Sequence, residues 1–123
     1  MMNKIFLTAI LFSFFAFEAA PVAEAQIFST KLKITVLDEL GNVLPGAEVT
    51  LYKNKEDYVN EVNPVQETAI ANKKGIVKFK KLNQNEYFVL ASKGDLRNAG
   101  GGVIIGELEE GKTNKANVIL TEF

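Results

Sequence analysis

The chain has 123 residues, with 14 basic and 15 acidic side chains, and contains neither cysteine nor histidine. That length suits one domain. The net charge of −1 lacks the basic excess of a nucleic-acid binder, and the missing residue types exclude disulfides, Ser-His-Asp triads, haem and the usual zinc sites.

In chain order, the first element is an apolar leader. Lys4 precedes an uncharged run of 13 residues, Ile5 to Phe17, which Glu18 ends. Ala23-Glu24-Ala25 then sets small residues where a signal peptidase reads them, with Gln26 next. This is the order of a secretory signal peptide, and the run falls short of the roughly 20 apolar residues of a spanning helix. The expectation is a signal-peptide helix over 1–25, cleavage between Ala25 and Gln26, and a mature domain over 26–123. The product would have no membrane span and would be exported, periplasmic or secreted. Removing residues 1–25 leaves 13 basic and 13 acidic side chains.

The mature part reads as short strands. Leu32, Ile34 and Val36 alternate with Lys31, Lys33 and Thr35, the period-two pattern of a half-buried strand over Thr30–Leu37. Gly41 and Pro45-Gly46 punctuate a turn. Val49 and Leu51 mark a second strand, and Asn54–Val65 is a polar loop with room for one helical turn at Lys55–Val59. Gln66–Ala71, Ile76–Lys80 and Tyr87–Ala91 follow as strands, with tight turns at Asn72–Gly75 and Asn83–Asn85. A glycine-rich loop, Lys93–Gly102, leads to Val103–Leu108 and Ala116–Thr121. Seven short strands at this spacing predict an all-β, two-sheet sandwich of immunoglobulin-like or prealbumin-like type. Its core would hold Leu32, Ile34, Val36, Val49, Leu51, Val77, Phe79, Tyr87, Val89 and Leu120, with Lys31, Lys33, Lys53, Lys78 and Lys80 outside.

The run Val36-x-Asp38-x-x-Gly41-x-x-Leu44-Pro45-Gly46-Ala47-x-Val49-x-Leu51, followed by Asn72-x-x-Gly75-x-x-x-Phe79-x-x-Leu82 and Glu86-Tyr87-x-Val89, resembles the carboxypeptidase regulatory-like domains. These are a branch of the transthyretin-like, prealbumin-like sandwiches. The resemblance spans about residues 31–121 and implies an accessory or binding module without catalysis. Related sandwiches suggest two chemistries. Transthyretin-like hydrolases use histidines, which this chain lacks. Collagen-adhesin B-type domains join a lysine to an asparagine or aspartate beside a buried acid. Here the lysine position falls on Val36 and the acid position on Ala91, so the comparison implies no crosslink.

Other features carry competing readings. Asp38, Glu39 and Asn42 suit turn chemistry better than calcium, which wants six to eight oxygens. Gly100-Gly101-Gly102 is followed by a strand pattern rather than the helix a phosphate loop requires. In the long loop, Glu56, Asp57 and Tyr58 form an acidic-aromatic cluster, and Asp57, Tyr58 and Glu61 are the candidate contact residues. Either they contact a partner or Tyr58 folds back on the sheet edge. If successive connections alternate between the two ends of the sandwich, this loop shares the more acidic end with Glu109 and Glu110. The expected function is an exported, non-catalytic interaction module of the bacterial cell envelope, meeting an unknown protein or glycan. The alternative is a small carbohydrate- or peptide-binding protein using the 54–65 loop. No catalytic, metal or cofactor-binding residue, and no nucleic-acid partner, is expected.

Overall fold

A computed structural model describes residues 29–98 and 103–122. The predicted signal helix, the Ala25–Gln26 cleavage site and Gly100–Gly102 lie outside the described residues. The elements are β1 (Thr30–Asp38), β2 (Glu48–Tyr52), α1 (Lys55–Asn60), β3 (Ala69–Ile70), β4 (Ile76–Leu82), β5 (Tyr87–Lys93), β6 (Leu96–Arg97), β7 (Val103–Ile105) and β8 (Thr113–Glu122).

Alternating side chains decide how these strands stack. The expected core residues of β1, β2, β4, β5 and β8 are all buried in one apolar cluster. One layer has β1 between β4, antiparallel, and β8, parallel. The other centres on β2 and β5, with β3 beside β2 and with β6 and β7 beside β5. The layers are continuous through the end of β8, where Thr121 and Glu122 pair with β6. The result is an all-β sandwich of two layers.

Details differ from the sequence reading. The expected strand at Gln66–Ala71 contracts to the two residues of β3. An extra two-residue strand, β6, arises inside the expected glycine loop. The buried Asn98 fixes that stretch: its side chain accepts from Ala91 N–H at 2.9 Å and donates to the Val89 carbonyl at 2.6 Å. β8 begins at Thr113, earlier than expected, because Asn114 ties the turn together by accepting from Glu109 N–H at 2.8 Å and donating to the Lys31 carbonyl at 3.1 Å.

Two local devices set the frame. The buried Tyr87 hydroxyl accepts from Asn83 N–H at 3.0 Å and donates to the Asn83 carbonyl at 3.2 Å, closing the β4–β5 turn. Gly75 has φ +75°, and a Cβ there would sit 2.9 Å from Val43 Cβ and 3.0 Å from two backbone atoms of Leu44 and Val36. Only glycine lets the Asn72–Gly75 turn press against the Asp38–Gly46 loop in this way.

Candidate functional site

The expected contact group does not form an open tip. Asn54 caps α1 by accepting from Asp57 N–H at 2.8 Å, and the helix turns the chain back over the outer side of β2 and β5. Tyr58 is buried there, its ring 6.0 Å from those of both Tyr52 and Phe88. Burial raises the phenol pKa of both Tyr52 and Tyr58 above the ordinary value. Glu61 sits in left-handed backbone at φ 53° and reaches Arg97 at 3.8 Å, an exposed pair of small energetic weight. Asp57 is half-buried at the helix start. Of the three residues, Tyr58 is a packing residue, while Asp57 and Glu61 keep access to solvent. Val59 and Val62, 61% and 44% exposed, face outward beside them.

The Asp38 turn uses its carboxylate internally. Asp38 Oδ1 accepts from the N–H groups of Leu40 and Asn42, both at 2.9 Å. The Asn42 backbone N–H is the leading cause that holds this carboxyl below its usual pKa. Val36 and Ala91, the positions aligned with the crosslinking lysine and acid of related sandwiches, are fully buried in the apolar core.

A second feature emerges only when the strands are assembled. The outward residues of β1, β4 and β8 include Lys31, Lys33, Lys78, Lys80 and Lys115. Lys33 lies directly opposite Lys78 on one side and Lys115 on the other. With Thr113, these five lysines line an open groove of about 260 Å³. Among the described residues, no carboxylate lies within 4.0 Å of any of them; the ion pairs found there join Arg97 to Glu61 and Lys112 to Glu109. Like charges directly opposite on a sheet destabilise it, so this face carries a strain with no internal compensation. Lys31 and Lys33, expected outside, are half-buried between the flanking strands. Further along the same face the composition changes, with Thr35 opposite Ile76 and Asn117, then Leu37 opposite Ile119.

The sequence contained half of this signal. Lys-x-Lys at 31–33 and 78–80 shows outward lysines in phase, but nothing local says that these strands are neighbours, and the net charge hides the segregation.

The fold has counterparts among solved structures. The chain is similar to the minor pilin GBS52 of Streptococcus agalactiae, with 11% identity, a TM-score of 0.60, and coverage of 79% of this chain and 46% of that one. It is similar to the Bacillus anthracis TIE protein, with 22% identity, a TM-score of 0.56, and coverage of 77% and 17%. The shaft pilin spaA of Lactobacillus rhamnosus GG gives 9% identity, a TM-score of 0.55, and coverage of 78% and 48%. The chain thus spans less than half the length of each of these proteins. No curated protein matches it significantly. The model of the family described as "SpaA: Prealbumin-like fold domain" matches residues 30–93, from the first residue of β1 to the last of β5. With that match over more than half of its sequence and the sandwich described above, the chain belongs to the SpaA prealbumin-like fold domain family.

Proposed function

We propose that the chain is an exported, non-catalytic interaction module of the bacterial cell envelope. The observation that carries this reading is the direct succession of two parts. The signal-like segment ends at Ala25, and the prealbumin-like sandwich starts at Thr30 with no room for another unit between them. Two further facts support it. The solved proteins of similar fold include pilins, and the sequence offers no histidine or cysteine for nucleophilic or general-base chemistry. Among the described residues, no helix is long and apolar enough to cross a membrane.

Within this reading, the folded-back 54–65 segment is one contact surface for a protein or glycan partner. Asp57 and Glu61 meet the partner, flanked by Val59 and Val62, and Tyr58 supports them from beneath. Intact mass of the native protein tests the proposal. The expected mature chain starts at Gln26, free or cyclised, and is recovered from the envelope or the medium. A chain that retains Ile5–Phe17 and stays with the cytoplasmic fraction would refute it.

A further inference from the structure

We infer that the lysine face of β4, β1 and β8 binds an acidic polysaccharide, a linear glycan with carboxylates along its repeat. The ligand class rests on the reading of the chain as an exported module, because such polymers are met outside the cytoplasm.

Charge segregation is the first ground. The sequence holds 13 lysines and one arginine, and five of those lysines gather on one face with no acid in ion-pair range among the described residues. Neighbouring strands are about 4.8 Å apart, and alternate residues on one strand are about 6.6 Å apart. The row Lys78–Lys33–Lys115 therefore spans roughly 10 Å across the sheet. Lys31 and Lys80 follow in the next row of the same groove. Such an array costs stability and returns nothing to the fold itself. It attracts a polymer that brings several anions at once, because charges spread over two rows of the sheet are met by a ligand with anions at several points.

The residue types narrow the ligand. Lysine offers a hydrated point charge on a flexible stem, which adapts to anions of irregular spacing and does not require the planar, two-pronged match of arginine. Thr35, Thr113 and Asn117 on the same face add neutral donors and acceptors for sugar hydroxyls. The described outward positions of these three strands carry no aromatic ring on which bases could stack and no arginine to read base edges. Leu40, 87% exposed, lies within the Asp38 turn beside Glu39, and these two acids would repel an anionic bilayer.

The test measures binding of the purified chain to fluorescent polygalacturonate, with neutral dextran, polyglutamate, single-stranded DNA and phosphatidylglycerol vesicles alongside. The expected result is binding to polygalacturonate, none to dextran, and loss with rising salt, as counterion release requires. The triple variant Lys33→Gln/Lys78→Gln/Lys115→Gln should bind at least about tenfold more weakly while melting no lower than the parent. It removes the repulsion along with the site. Lys53→Gln/Lys73→Gln/Lys74→Gln removes the same charge from other exposed positions and should stay within about twofold of the parent. Equal loss in both variants would reduce the effect to net charge and overturn the inference. Preference for polyglutamate, DNA or vesicles, or no binding at low salt, would overturn it as well. None of these results bears on the mature mass, so failure here leaves the export reading standing, and the reverse holds too.

Discussion

The ring of Tyr58 stands edge-on to that of Tyr52, with centroids 6.0 Å apart and planes at 79°. This contact turns an acidic loop into a second layer over the outer side of β2. Edge-to-face pairs contribute beyond simple burial, and the packing of Tyr58 on Tyr52 and Phe88 is what holds α1 down, since Tyr58 is the one buried residue of the helix. Tyr58→Ala is therefore expected to lower the unfolding free energy by about 2–4 kcal/mol, read by urea denaturation. A loss within a few tenths of a kcal/mol would mean that the segment does not pack on the sheet in solution.

Phe79 lies 2% exposed at the centre of the core, opposite Leu32. Phe79→Ala should cost about 3–5 kcal/mol, a large share of the stability of a domain this size. Tyr87→Phe keeps the ring and removes both hydrogen bonds to Asn83, and should cost about 1–2 kcal/mol. Chemical denaturation of the two variants separates packing from hydrogen bonding within one core.

Gly75 and Gly94 both have positive φ, at +75° and +59°, but a Cβ at Gly94 meets nothing within 4 Å. Gly75→Ala adds a clash with backbone to the unfavourable dihedral and should destabilise by well over about 1 kcal/mol. Gly94→Asn should cost less, since asparagine tolerates the left-handed region. Melting temperatures of the two variants give the order; equal shifts would contradict the close contact of the two turns.

The pH dependence follows from three groups. Asp38 has its carboxyl pKa lowered in the folded state, so its contribution is present above the unfolded value of about 3.9 and is lost as pH falls through the folded value below it. The gap in urea midpoint between the parent and Asp38→Ala should therefore narrow in acid. Tyr52 and Tyr58 have raised values. Their contribution is present below about pH 10 and is lost as pH rises through the folded values. Tyr58→Phe should flatten the alkaline limb.

Much of this architecture was legible because burial on one face of a strand writes a period of two into the sequence. Thr30–Leu37 and Ile76–Lys80 read correctly for that reason, and the single helical turn expected at Lys55–Val59 is present as α1. Tyr58 was ambiguous because its destination depends on Tyr52 and Phe88, which the turn of α1 alone brings under it. The lysine face was harder still. Its strands lie far apart in sequence, and the parallel pairing of β1 with β8 leaves no local mark. The burial of Asn98 leaves no mark in its own segment, because its two partners, Val89 and Ala91, lie on β5.

That parallel pairing also governs how the domain carries tension. β1 and β8 run side by side through eight residue pairs, from Lys31–Thr113 to Asp38–Leu120. A pull applied at the start of β1 and the end of β8 acts along the strands from opposite ends. The evenly spaced bonds of a parallel ladder are then stretched together, where a hairpin pulled at its open end would unzip one bond at a time. Under load the sandwich is a lap joint, which must slide as a whole before it can give way.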